Sequence, residues 1–572
     1  MFFRFGQFVR NRKSKPLILF ASLCSIALLS LFPTFMHGQW RANGVAVCDT
    51  SVNSGFYMIP QIASDDSGGA YVCWRDVRNG NSDIYAQRIG PDGRTLWPKN
   101  GIPIVDDTGH QAFPRIISDG YGGAYVAWED SRSLTSTHIY SQRINRYGES
   151  LWQVNGVRVA EVGGLFISLA DDKRGGLLIA WNSFVGDSSD VHVQRLDSLG
   201  NRVWPDSGVR ISNRPAFVSA NDVAVIEDGR GGGFVAWSEG ESTYEKVYTQ
   251  RIDSVGKVLW SANGIEISDS VRSLHPVVSS DLNGGIIISW ASLSRIPGSN
   301  DAFIFAQRIC QNGEIRWAGG GILIGDARGG GARRHTPDNQ GGVFIGHSRW
   351  IQHLDSSGTK AWPDEGAQFT DASTGFSESH QVRHPDGGIW NFWTDFATGT
   401  GTDPDIYAQR ISITGIPLLG LRGKPLCDAG GIQQNPRAVS DGRGGAIVVW
   451  DDLRNSDYSA VYAGKIDSAG LITTVKDGNN GHAIPEGPYL HQNYPNPFNP
   501  ETHIAFSLPQ RTHVKLNVRN ILGQEIVTLI DDTKDSGNHE LLFRGEDLTS
   551  GVYFYRLVAG NSVITRKMLL IR

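Results

Sequence analysis

Five cysteines in 572 residues, with no Cys-x-x-Cys pair among them, leave no material for a zinc ribbon or a dense disulfide scaffold. Net charge is scarce as well. A formal value of −5 over this length gives neither the basic footprint of a nucleic-acid binder nor a polybasic membrane patch. No His pair stands at helical spacing, and no loop carries the spaced acids of an EF-hand, so no metal site and no cofactor is expected. No acids stand apart from the repeats described below, so no catalytic residue is assigned. What the chain has in quantity is glycine and tryptophan, 69 and 16 residues. Glycine without a collagen period means many turns and hence many short strands. The length exceeds one ordinary core, so a repeat array or several domains is expected.

Residues 1–15 hold Arg4, Arg10, Arg12, Lys13 and Lys15 and no acid. An apolar run from Pro16 to Phe32 follows, then His37-Gly38-Gln39. A basic segment ahead of an apolar run of this length reads as a secretory signal peptide over residues 1–38. A retained membrane anchor is the competing reading.

The phrase Asp119-Gly120-Tyr121-Gly122-Gly123-Ala124-Tyr125-Val126-Ala127-Trp128 then recurs, whole or eroded, eight times between residues 60 and 470. Its closing position is held by Trp74, Trp128, Trp181, Trp237, Trp290, His347, Trp393 and Trp450, at intervals of 54, 53, 56, 53, 57, 46 and 57. A period above fifty lies in the propeller range and beyond the helical solenoids. The residues are β-branched, aromatic and small, with no helical stripe. Each unit yields four strands, the first two joined by the Asp-Gly-x-Gly-Gly turn. The third is the Ile-Tyr-x-Gln-Arg-Ile phrase. The fourth follows Leu151-Trp152 and its equivalents.

The expected fold is all-β: an eight-bladed propeller over residues 39–475, seven-bladed if the eroded sixth copy is not a blade. Gln39 to Val47 is a fourth-strand phrase with no unit before it, and it completes the last blade in this reading. Leu471 to Val475 competes for that place. The recurring Gln-Arg pairs are read as structural, with the arginines bonding the acids after each Trp (Asp76, Asp130, Glu239, Asp452). Cys73 takes a small core position, so a buried thiol is expected. Cys48 and Cys427 end comparable fourth strands, which leaves a disulfide conceivable but not called for.

Residues 476–489 read as a linker. Beyond it Ile504-Phe506-Leu508, Val514-Leu516-Val518 and Tyr553-Tyr555-Leu557 alternate as in a small immunoglobulin-like β-sandwich over residues 490–572. Asn493-Tyr494-Pro495-Asn496-Pro497-Phe498-Asn499-Pro500, then Asn520-Ile521-Leu522-Gly523, Ser550-Gly551 and the closing Lys567 to Arg572 follow in order. Together they resemble the type A C-terminal sorting domain of the type IX secretion system. The sorting signal carried over is Asn493, Pro495, Asn496, Pro497, Phe498, Asn499, Pro500, Gly523, Gly551, Lys567 and Arg572. The resemblance implies passage across the outer membrane and the type IX machinery as partner. Membrane contact is then limited to the signal peptide or to anchoring after secretion. Arg519 departs from the aromatic residue that the family usually places before Asn.

In a ring of similar blades, recognition is expected where similarity breaks, at residues 325–405. The candidates are Arg333, Arg334, His335, His347, Trp350, His353, His380, His384 and Trp390, whose cations, imidazoles and aromatics suit an extracellular glycan, an anion or a protein. A drifted blade with solvated loops is the bland alternative. The functional reading is an exported binding protein. The alternative is a sialidase-like propeller glycosidase, which needs paired carboxylates or a Tyr nucleophile beside an arginine cluster.

Overall fold

Each Asp-Gly-x-Gly-Gly phrase closes a hairpin through its aspartate. Asp119 Oδ1 accepts the N–H of Tyr121 at 2.8 Å and of Gly123 at 2.7 Å. Gly122 sits at φ +83°, and a Cβ on Gly123 would lie 2.3 Å from the Ile144 carbonyl. The turn therefore demands glycine on two separate grounds.

The computed structural model describes residues 40–49, 58–133, 136–185, 188–212, 223–241, 244–268, 272–293, 302–317, 319–327, 335–363, 365–371, 375–396, 403–454, 459–473, 488–490, 493, 498–508, 510–535, 537–560 and 562–571. The secretory signal expected over residues 1–38 lies outside them. Two compact units divide the chain, Met1–Val475 and Lys476–Arg572. The described residues form strands and turns with no helix.

The first unit holds eight four-stranded antiparallel sheets among its described residues. The second of them is representative, with strands Gln111–Ser118, Ala124–Asp130, His138–Ile144 and Val157–Arg158. The first strand of every sheet packs on the first strand of the next, and the eighth packs back on the first, Gln433–Ser440 against Gln61–Ser64. The first strands thus line an axis in a closed, propeller-like ring. Their neighbours, such as Ala124–Asp130, are buried along their whole length, as sheets covered on both faces require. The eroded sixth copy forms its own sheet, His335–Pro337, Val343–His347, Trp350–Leu354 and Ala367–Gln368.

The eighth sheet takes its outer strand from the other end of the chain. Val45–Cys48 pairs antiparallel with Ala460–Ile466. The rival segment offers only an isolated bridge, Ile466 to Ile472. Trp40 also donates to the Pro91 carbonyl at 2.9 Å. The same latch recurs from sheet to sheet, with Trp97 bonding Arg146 O, Trp152 bonding Ser198 O and Trp204 bonding Ser254 O.

The Gln-Arg pairs are structural, but their partners differ from the expected ones. Arg143 bonds Asp119 of the hairpin turn at 2.8 Å, not the acid after the Trp. Arg88–Asp65, Arg195–Asp172, Arg251–Asp228 and Arg308–Asp281 repeat it at 2.7–2.9 Å. The acids after the Trp have another task. Asp130 accepts Trp128 Nε1–H at 2.7 Å and pairs with Arg132, and Asp76 and Asp452 do the same for Trp74 and Trp450. The glutamine beside each arginine ties strand three to the connection that leads into strand four. Gln142 Oε1 accepts Trp152 N–H at 3.0 Å, and its Nε2 donates to Gln153 O at 2.7 Å.

Cys48, Cys73 and Cys427 are buried free thiols. Burial pushes the Cys427 thiol up to about 12. No disulfide joins it to Cys48, and each sulfur instead faces an arginine, Arg454 or Arg78.

The second unit has two sheets, one of Tyr489–Leu490, Glu501–Leu508 and Gly537–Arg544. The other is Glu525–Lys534, Thr512–Arg519, Gly551–Ala559 and Ser562–Leu570. The alternating residues named above face one core with Phe498, Met568 and Leu570. The sorting motif is built into that core. Asn493 N–H bonds Tyr555 Oη at 2.7 Å, and its side chain bonds Thr502 at 2.9 Å. Phe498 is tied to the last strand, donating to Leu569 O and accepting from Ile571 N–H. Pro500 O accepts the Gly545 N–H, Gly523 at φ +79° completes the Asn520 turn, and Gly551 opens a strand. Lys567 lies on the last strand, while Pro495, Asn496, Pro497 and Arg572 fall outside the described residues. Arg519 spans its turn, donating to Gly523 O at 2.9 Å.

Candidate functional site

Among the described residues, the candidates at 325–405 do not converge on one site. His347 is fully buried in the Trp position, and its Nε2 bonds the Glu365 carbonyl at 2.9 Å. Burial lowers its pKa, so the ring serves as a neutral stand-in for the missing indole. His353 replaces the arginine of the Gln-Arg pair. It bonds Asp338 at 3.0 Å and stacks on Phe344 with centroids 4.3 Å apart. His384 replaces the turn aspartate, its Nδ1 accepting the Asp386 N–H at 3.2 Å. Burial opposes ionisation of Asp386, yet His384, the Gly388 N–H and Arg410 outweigh it and lower its pKa to about 2. Trp390 is buried and donates to Gly444 O at 2.9 Å. Trp350 is half-buried, paired with Gln368. In these contacts four of the five act within their own sheets, and Trp390 ties the seventh sheet to the eighth.

His335 and His380 lie on first strands and so reach the axis. His335 bonds Ser289 at 3.0 Å, and burial pushes its pKa down to about 4. His380 Nδ1 accepts the Ala438 N–H of the next sheet at 3.2 Å. Arg333 and Arg334 lie outside the described residues.

A different set of residues does converge, at one end of the axis. The antiparallel order puts the starts of first strands and the ends of second strands on the same side of each sheet. There the first strands bulge. Ile59, Phe113, Phe166, His275 and Asn435 all have positive φ, between 45° and 59°. For Ile and Phe that conformation is strained and persists only where the surroundings impose it. Four of the five precede a proline (Pro60, Pro114, Pro276, Pro436), which has no N–H to give the ladder and so favours a bulge. The ladders shift register at Ala112/Arg115, Leu274/Val277 and Gln434/Arg437.

Buried acids of the neighbouring sheet cap these bulges. Glu129 Oε1 accepts Phe166 N–H at 2.8 Å. Asp451 accepts Ile59 N–H of the first sheet at 3.0 Å and, within its own sheet, Asn435 Nδ2–H at 2.9 Å. Burial raises both carboxyls, Glu129 to about 7 and Asp451 to about 6, against the pull of these N–H donors and of Arg115 or Arg437. Burial also lowers the pKa of Arg115, and nearby Arg437 lowers it further. Between the first strands of the second, third and fourth sheets lies a cavity of about 250 Å³. Arg115, Ile117, Phe166, Ser168, Leu169 and Val223 line it. On the same side Phe113 is 55% exposed, with Phe184 and Phe396 at 45% and 41%. This end offers cations, near-neutral carboxyls and open aromatic faces. The recurring residue-proline pair was the signal in the sequence that marked it.

Glu129→Gln tests the electrostatics. A carboxyl near 4.5 when unfolded and near 7 when folded leaves the folded state holding the extra proton. Its contribution to stability therefore falls as pH rises from about 4.5 to about 7, by at most about 3 kcal/mol. The glutamine keeps the oxygen for Phe166 and carries no charge. The variant should melt several degrees above the parent at pH 8 and show no gain at pH 5. A difference in melting temperature that ignores pH would refute the raised carboxyl.

A repeat-built, propeller-like β unit followed by an export-directing domain defines the class of protein. Residues 492–571 match the family of secretion system C-terminal sorting domains, and that part of the chain is one. Export by the type IX system, with its machinery as partner, follows from that domain. No curated protein matches the chain. Among solved structures it is similar to the endo-arabinase of Bacteroides thetaiotaomicron, at 14% identity over 56% of this chain and 98% of that one, TM-score 0.28. It is similar also to PorZ, a surface component of the type IX secretion system of Porphyromonas gingivalis, at 11% identity over 93% and 85%, TM-score 0.27. A protein of unknown function from Dyadobacter fermentans shares 11% identity over 74% and 98%, TM-score 0.37.

Proposed function

We propose that this chain is an exported eight-bladed β-propeller that binds an extracellular ligand, a glycan or a protein, on the bulged end of its axis. In this reading residues 1–38 are a signal peptide, 39–475 the propeller, 476–489 a linker and 490–572 an immunoglobulin-like sorting sandwich. The protein ends up secreted or held at the cell surface. The observation that carries the binding role is the ring of strained first-strand residues, where bulky side chains take positive φ and Phe113 stays open to solvent. Strain of this kind gathers at ligand-binding surfaces. The recurring arginines, tryptophans and turn acids are taken up within the ring, which leaves this end as the part with spare chemistry.

A glycoside hydrolase is the second reading, favoured by the raised carboxyls Glu129 and Asp451. These two acids belong to the second and eighth sheets, and no hydrogen bond joins them among the described residues. Binding is therefore preferred to turnover. A glycan and protein array probed with residues 39–572, followed by product analysis on each hit, separates the two. Capture without product is expected; released sugar would reverse the order. Fusing residues 490–572 to a reporter in a host with the type IX system should carry the reporter outside the cell. Retention in the periplasm would count against the sorting role.

A further inference from the structure

Two ionic groups beside the 250 Å³ cavity have bonding capacity to spare. Among the described residues the Arg115 guanidinium makes one hydrogen bond, from Nη1 to the Pro114 carbonyl at 3.3 Å. Glu129 is 7% exposed, and among the described residues its carboxylate accepts one hydrogen bond, from Phe166 N–H. The two are close enough to influence each other's ionisation and yet form no ion pair. Arg88, Arg143, Arg195, Arg251 and Arg308 of the Gln-Arg pairs, by contrast, are each spent on a turn aspartate. An under-used guanidinium at a cavity wall is the usual fork for a planar anion. Arg437 adds to the positive field there.

We propose that this cavity binds the carboxylate-bearing sugar of an acidic polysaccharide, with Arg115 holding the carboxylate. The inference rests on the reading of this end as the binding surface. Size favours a sugar unit over an extended peptide, because the cavity falls below the roughly 300 Å³ at which drug-sized pockets begin. Its lining matches one. Ile117, Leu169, Val223 and Phe166 offer apolar contact for C–H faces, while Ser168 and Arg115 offer polar contact.

Calorimetric titration of residues 39–572 with oligogalacturonate, a neutral galacto-oligosaccharide and an Asp-rich peptide of equal charge tests this. Oligogalacturonate should bind at least tenfold more tightly than the other two. Arg115→Gln should abolish that preference, and Arg115→Lys should keep part of it. If Arg115→Gln does not fold, protection of Arg115 from phenylglyoxal by oligogalacturonate in the unsubstituted protein, read by mass spectrometry, decides the matter. Loss of protection with ligand present would overturn the proposal. Equal binding of the neutral sugar, or no effect of Arg115→Gln, also overturns it and leaves the binding role intact. Tighter binding of the peptide overturns it in favour of a protein ligand. Should no glycan or protein bind anywhere, this inference and the proposed function fall together.

Discussion

Starting the chain at residue 49 instead of 39 should lower the melting temperature of the ring by roughly 10 °C or more. The deleted segment carries Trp40, Val47 and Cys48, each at most 1% exposed. Burial of side chains of this kind is worth about 1.5–3 kcal/mol apiece. Its loss also strips Ala460–Ile466 of its outer partner, turning a paired strand into a sheet edge. Arg454 loses the Asn43 carbonyl at 2.7 Å, and Trp450 loses Gly44 from its face. A synthetic peptide of residues 39–48, added in excess, should restore part of the loss by strand addition. Calorimetry on both forms decides. An unchanged melting temperature would mean that the ring is held shut elsewhere.

The second large effect is expected inside the ring, at Asp228. Its Oδ1 accepts the N–H of Arg230 and Gly232, and its Oδ2 takes Arg251 at 2.7 Å. The side chains are 1% and 10% exposed. Asp228→Ala leaves a buried guanidinium without its counter-ion and two turn N–H groups unmet, at a cost of about 3–5 kcal/mol. Arg251→Met should cost a similar amount, and the double variant should cost clearly less than the sum. The pair Arg544–Glu501, 60% and 44% exposed, gives the control. Breaking it should cost no more than about 1 kcal/mol. Urea melts of the four ring proteins measure this cycle. Strict additivity at Asp228 and Arg251 would show that the two act independently.

Much of the ring could be read along the chain, for a physical reason. A hairpin turn is satisfied within five residues, so Asp119 and its glycines announce the turn wherever they recur. The partner of each arginine was not legible in this way. Asp119 lies 24 residues before Arg143, and a nearer acid, Asp130, was equally available in sequence. Only the antiparallel register brings Arg143 beside the turn instead of the strand end.

The odd histidines misled for a related reason. His347, His353 and His384 interrupt the repeat, which made them look free to bind something. In the folded ring His353 takes over the arginine's bond to the turn aspartate and His384 the turn aspartate's bond to a backbone N–H, while His347 fills the indole's place and bonds the Glu365 carbonyl. The bulged end was hidden in the opposite way. Ile59-Pro60 and Asn435-Pro436 look like ordinary strand beginnings until the fold brings Asp451 to both, from the eighth sheet, and Glu129 to Phe166 from the second.

The sequence by itself determined the period, the strands, the turns and the sorting domain, because these depend on side chains acting within one short stretch of backbone. Tertiary structure alone decided which segment closes the ring, which acid meets which arginine, and where charged groups are left with unused hydrogen bonds. Those outcomes depend on groups from different strands and sheets sharing a water-poor space, where an unmet charge is costly and proximity is set by the folded ring and not by order along the chain.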